Sequence, residues 1–130
     1  DNWATCDTFA PKIFLKYPEE TLKHIKQWIT SKETYTVRYG IGVLLSNYLD
    51  ALFKEEYLTW VAKITSDEYY INMMIAWYFA TALTKQYETT IPYIESKTLS
   101  PFIQNKSIQK ARESRRISED TKKYLLQFKL

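Results

Sequence analysis

Two stretches of this chain are copies of one another. "ITSKETYTVRYGIGVLL" starts at Ile29 and "ITSDEYYINMMIAWYFA" starts at Ile64. Thr30, Ser31, Glu33 and Tyr35 recur as Thr65, Ser66, Glu68 and Tyr70, an offset of 35 residues. Each copy follows a segment that carries a Trp, Trp28 in one and Trp60 in the other, and both read as core residues. A short unit repeated in tandem cannot bury its apolar face alone. It must stack on its neighbours, which restricts the chain to a repeat architecture.

The apolar spacing says what the unit is. Leu22, Ile25 and Ile29 form one helical stripe, and Val37, Ile41, Leu44, Leu45 and Tyr48 form a second. Tyr57, Leu58, Val61 and Ile64 form a third. The run from Tyr69 to Leu83 is apolar on most of its circumference, as expected of a helix covered on several sides. Only two glycines and four prolines leave little turn chemistry for hairpins. Pro18, Pro92 and Pro101 read as helix starts, Pro11 as a kink or restart in the first helix, and Ser118 as an N-cap. The unit is therefore a helix pair. Tetratricopeptide units repeat at about 34 residues and HEAT or armadillo units at about 40 to 47. The Trp, Leu-Gly and Tyr pattern of the former is missing, so the expected fold is all-α, a HEAT-like solenoid of antiparallel helix pairs. Residues 1–130 are read as one such domain.

In a stack of this kind one helix of each pair lines the inner face. The second helices, after Tyr35 and Tyr70, are expected to be the inner ones. They carry Arg38, Gly40, Gly42, Asn72, Met73 and Trp77. Mid-helix glycine costs roughly 1 kcal/mol against alanine, so Gly40 and Gly42 predict a close approach, most simply by another helix. "GIG" is no dinucleotide fingerprint, since no third glycine follows and no strand precedes it.

Several function classes are poorly supported. Cys6 is the only cysteine, so no internal disulfide forms, which fits a reducing cytoplasm. His24 is the only histidine, in a charged segment, and reads as a surface residue. No metal site and no Ser-His-Asp set is expected. No stretch approaches the roughly 18 uninterrupted apolar residues of a membrane span. The net charge of +3 conceals an asymmetry. Residues 1–96 hold 9 basic and 12 acidic groups, a net of −3, while residues 97–130 hold 9 basic and 3 acidic groups, a net of +6. A polyanion is one partner for such an end, and a solvated, Lys-rich helix pair is the plain alternative. Within "NKSIQKARESRR", Lys106 and Lys110 share a helix face, as do Arg112 and Arg116.

At the chain start, Trp3 and Asp7 are four apart and share a face if helical. Asp7 there either complements a helix dipole or floors a site that handles a cation. Together "NWATCDTFAPKIF", "YTVRYGIGVLL" and "DEYYINMMIAWYFATALTKQY" resemble the bacterial DNA alkylation repair family of AlkD-like DNA glycosylases. The resemblance covers most of the chain. It implies a HEAT-like solenoid wrapping alkylated double-stranded DNA, with no cofactor, acting as a cytoplasmic monomer that joins the nucleoid when bound. Family members are nearly twice as long, so the chain is expected to be the C-terminal part of a longer protein. The family's cleft holds a Trp, an Asp four residues later, an Arg on a later inner helix and a Trp on the next; Trp3, Asp7, Arg38 and Trp77 fall on those positions. The resemblance assigns Asp7 to catalysis and Trp3, Arg38 and Trp77 to DNA, and Lys106 is a further candidate phosphate contact. The chain reads Trp-Ala-Thr-Cys-Asp where the better-known motif is Trp-Asp-x-Val-Asp, so Ala4 removes a carboxylate and marks a distinct subgroup. Two other functions compete with a glycosylase. One is a non-catalytic protein that recognises DNA by shape; the other is a helical scaffold for a protein or peptide.

Overall fold

The computed structural model describes residues 18–130. Trp3, Asp7 and the break expected at Pro11 lie outside the described residues. Among the described residues the regular structure is entirely helical, in seven helices. They are α1 (Pro18–Ile29), α2 (Thr34–Asn47), α3 (Glu55–Ala62), α4 (Tyr69–Lys85), α5 (Tyr87–Glu95), α6 (Pro101–Arg112) and α7 (Glu119–Leu126).

The repeated sequence builds a repeated turn. In the first copy the Glu33 amide donates to Ser31 Oγ at 3.0 Å; in the second the Glu68 amide donates to Ser66 Oγ at 3.0 Å. Each Ser thus satisfies one backbone donor just ahead of a helix, and each Glu sits at the N-cap with extended backbone angles. The segments on either side become α1 and α2 in one copy and α3 and α4 in the other. Proline acts as expected at Pro18 and Pro101, which open α1 and α6. Pro92 is different: it lies inside α5 and does not start it. It still donates nothing to the preceding turn, but α5 is short and stays helical through to Glu95. Ser118 caps α7, its Oγ accepting from the Thr121 amide at 3.2 Å.

The core lies between two sets of helices. α1 packs on α2, α2 on α4 and α4 on α6, with α4 also meeting α3 and α5 and α6 meeting α7. Ile41, Leu44, Leu58, Ile75, Phe79 and Ile94 are fully buried in this core. The first helices of the pairs also touch one another. Lys26 Nζ sits 4.9 Å from the Trp60 ring centroid, joining α1 to α3, and the Thr59 and Tyr93 hydroxyls share a hydrogen bond of 2.8 Å between α3 and α5. The Tyr124 hydroxyl donates to the Glu95 carboxylate, joining α7 to α5. Trp28 and Trp60, read from sequence as core residues, are only partly buried and pack on the core from outside.

Both glycines mark helix crossings. A Cβ on Gly40 would lie 2.8 Å from Ile29 Cγ2 and 3.0 Å from Trp28 Cβ, so α2 crosses the end of α1 at a distance no side chain permits. A Cβ on Gly42 would meet only the Met74 methyl, at 3.1 Å, where α2 passes α4. The C-terminus is tied down by α6. Buried Gln104 donates from Nε2 to the Ile94 carbonyl at 2.9 Å and to the Phe128 carbonyl at 3.0 Å. Asn105 pairs with the backbone of Leu130 through both of its amide atoms.

Three substitutions test this packing. Gly40→Ala forces α1 and α2 apart and should cost about 1–3 kcal/mol in a urea melt. Gly42→Ala displaces only a mobile methyl while gaining helix propensity, and should stay within about 1 kcal/mol of the parent. Gln104→Leu leaves a buried carbonyl without its donor and should cost roughly 1–3 kcal/mol, with faster amide exchange after Leu126 as its local signature.

Candidate nucleic-acid interface

The second helices of the pairs, α2, α4 and α6, lie side by side, and one face of each is open. On α4 the spacing of Tyr70, Met73, Trp77, Thr81 and Thr84 places them along one side of the helix. Trp77 is 48% exposed and Tyr70 56%, whereas their neighbours Ala76, Tyr78 and Phe79 are fully buried. Burial holds the Tyr78 phenol well above its usual pKa, so Tyr78 stays neutral and serves the core. Tyr35 and Arg38 occupy the matching side of α2, and Phe102, Lys106 and Lys110 that of α6.

Contacts between helices place these residues on a common face. The Arg38 guanidinium sits over the Tyr70 ring, 5.1 Å from its centroid. Tyr70 packs edge-on against Tyr69 at 5.3 Å, and Tyr69 against Phe102 of α6 at 5.8 Å. Lys106 Nζ lies 5.9 Å from the Phe102 ring and donates to Gln109 Oε1 at 3.1 Å. Lys110, one turn beyond Lys106, returns to α4, for it lines a cleft with Trp77. Of the five residues singled out from sequence, three are therefore on described elements. Arg38, Trp77 and Lys106 share this face, although Trp77 stands two turns of α4 away from the ring that Arg38 covers. Asp7 and Trp3 lie outside the described residues.

The Trp77 cleft has a volume of about 460 Å³. Trp77, Ala80, Thr81 and Thr84 form its α4 wall, and Lys110, Glu113, Ser114 and Arg116 its far wall. Lys85 at its edge is held by Asp50 at 2.8 Å, a surface pair that contributes little stability but orients the ammonium. The Arg116 amide donates to Ser114 Oγ at 3.1 Å, which fixes the turn after α6. Three cations against one carboxylate give the cleft a positive lining. With an indole wall and two threonine hydroxyls, it offers a phosphate charge neutralisation and a sugar an apolar surface.

A larger cleft of about 640 Å³ is lined by both repeated turns, Ser31 from one and Ser66 from the other, and by Trp60. Lys32, Lys63 and Glu68 are its charged groups, and it contains none of the residues singled out from sequence. Among the described residues no group of three or more His, Cys, Asp or Glu side chains is placed to hold a metal ion. No helix of the described residues is long and apolar enough to cross a membrane.

Sequence reasoning missed Tyr69, Tyr70 and Phe102 as surface groups. One signal pointed to Tyr70: it is the repeat equivalent of Tyr35 and precedes Trp77 by seven, so it shares that residue's face. Phe102 carried no such signal.

No curated protein and no solved structure matches the chain. The sequence model of the family described as "DNA alkylation repair enzyme" matches residues 1–117, which is nearly the whole chain and includes α1 to α6. With a cationic, aromatic face on the elements so matched, the chain belongs to the DNA alkylation repair enzyme family.

Proposed function

We propose that the protein is a DNA glycosylase that removes cationic N3- and N7-alkylated purines from duplex DNA. The observation that carries this reading is the joint face of α2, α4 and α6, which presents Arg38, Trp77, Lys106 and Lys110 together in a chain of a DNA alkylation repair family. The row of second helices supports a HEAT-like solenoid whose inner face is this one, within a single domain spanning residues 1–130 and working as a monomer. The duplex backbone runs along the face. Arg38, Lys106, Lys110 and Arg116 neutralise phosphates, and Trp77 packs against a deoxyribose beside the lesion.

The chemistry asks little of the protein. An alkylated purine with a fixed positive charge is already a good leaving group and needs no general acid. The barrier left is the positive charge that builds on the sugar as the N-glycosidic bond breaks. In this reading Asp7 supplies the carboxylate that faces that charge and holds the attacking water. At about 4 Å and an effective dielectric near 20 the attraction is roughly 4 kcal/mol, on the order of a thousandfold in rate. That is enough for a labile cationic base and too little for an unmodified one, so selectivity comes from the leaving group. Trp3 and Trp77 add cation-facing indole surfaces.

A second reading has one observation in its favour. Ala4 stands where a carboxylate is usual in the motif, which suits a member that recognises DNA shape without cutting it. Release of N7-methylguanine and N3-methyladenine from methylated duplex separates the two. The glycosylase reading expects release by the protein and a loss on the order of a thousandfold in Asp7→Asn. No release with duplex binding intact would establish the shape-recognising reading. Binding itself should be salt-dependent. Four phosphate contacts give a slope of about −3.6 in log affinity against log salt, so a fourfold rise in salt should weaken binding on the order of a hundredfold. A flat response would show that these cations do not meet phosphates.

A further inference from the structure

Three exposed aromatic rings run across the beginnings of α4 and α6. Tyr70 and Tyr69 are 56% and 55% exposed, and Phe102 is 39% exposed. Single exposed apolar side chains are ordinary, but these touch one another in sequence, Tyr70 to Tyr69 to Phe102. A cation stands at each end, Arg38 over Tyr70 and Lys106 over Phe102. Phe102 has no polar group to justify its place at the surface, and the core does not need the strip, since α4 and α6 already pack through buried residues such as Ile75 and Ile108.

We propose that this strip is a stacking platform for unpaired bases of single-stranded DNA, separate from the Trp77 cleft that takes the duplex backbone. Aromatic rings recognise a base through its face, and in a duplex those faces are hidden by neighbouring pairs. A platform of rings is therefore of use only for bases out of the stack, while cations beside it hold the phosphates of the same strand. Lys106 at the Phe102 end supplies that charge, while Arg38, half-buried over Tyr70, braces the other end; of the acids Asp67 and Glu68 that precede Tyr69, Glu68 lines the other cleft, between the repeated turns. The Arg38 guanidinium covers Tyr70 at 5.1 Å, whereas the Lys106 ammonium stands 5.9 Å from the Phe102 centroid and is drawn to Gln109, so Tyr69 and Phe102 are the rings that take bases. The proposal shares with the glycosylase reading the DNA partner on this face and the flanking cations Arg38 and Lys106; it needs neither Asp7 nor base release. An open strand beside an alkylated or unpaired site would be held here while the duplex lies along Trp77.

The test compares two fluorescein-labelled probes, an oligodeoxythymidine of about ten nucleotides and a blunt duplex, by anisotropy. The double variant Tyr69→Ala with Phe102→Ala alters exposed rings, and circular dichroism checks its fold. It should weaken single-strand binding by on the order of tenfold to a thousandfold while changing duplex affinity less than about twofold. Trp77→Ala should do the reverse. A 2-aminopurine in the oligonucleotide should be quenched by the parent protein and not by the double variant. No single-strand binding by the parent overturns the platform, as does equal binding by the double variant. Loss of duplex binding in the parent, with single-strand binding and its dependence on Tyr69 and Phe102 intact, would sustain the platform and refute the duplex glycosylase instead.

Discussion

The structure turns on α4, which four other helices contact. A helix enclosed that far must be apolar around most of its circumference, or it would bury unsatisfied polar groups. Its buried residues meet this demand with Ile71, Met74, Ile75, Phe79 and Leu83. What α2 and α6 leave open between them is one stripe, and that stripe holds Tyr70 and Trp77. The positions of Arg38 and Lys106 follow from the same packing. Gly40 lets α2 seat tightly on α1, and Met74 reaches toward Gly42 from α4. Arg38 thereby comes within 5.1 Å of Tyr70. The face is thus a by-product of how tightly the central helix is packed, and loosening the Gly40 crossing should disturb it without touching a residue of that face.

Much of this was legible in the sequence, for physical reasons that differ by residue. The copied "ITS" segments foretold a repeated helix pair, and the same residues build the same turn in each: Ser31 and Ser66, two residues before the N-cap Glu, accept from its amide identically. Two glycines in a helix are costly enough that a close approach had to explain them, and both proved to be helix crossings. Ser118 had the chemistry of a cap and caps α7. Pro92 misled because a proline marks a start only when the helix has no turn before it; α5 begins five residues earlier.

The surface was harder to read, because hydrophobicity does not say which way a residue faces on a helix that is apolar all round. Trp77 and Tyr78 are adjacent aromatics, yet one is 48% exposed and the other wholly buried. Only the angle between α4 and its neighbours separates them. Trp28 and Trp60 erred in the other direction. Each looked like core, but each has a surface partner that uses its ring: His24 stacks on Trp28 at 5.8 Å and Lys26 lies over Trp60. Asp7 and Trp3 rest on the family resemblance, and the family match includes their positions without assigning them roles.

Charge shows why a local face matters more than a total. A net of +3 spread over 130 residues steers a polyanion weakly, and beyond about 8–10 Å it is largely screened at physiological salt. The useful field is the one that converges on a cleft. Lys110 precedes the turn after α6 and Arg116 follows it, and the turn at Ser114 brings both to Trp77. Lys85 joins them from α4, held by Asp50 so that it contributes direction more than affinity. The basic end of the sequence therefore places two of its cations, Lys110 and Arg116, against an aromatic wall instead of leaving them all to a solvated tail. In the function proposed above, a polyanion held in this way would be fixed by position along the strand, which would leave recognition of the damaged base to its own lability and to whichever bases are free of the stack.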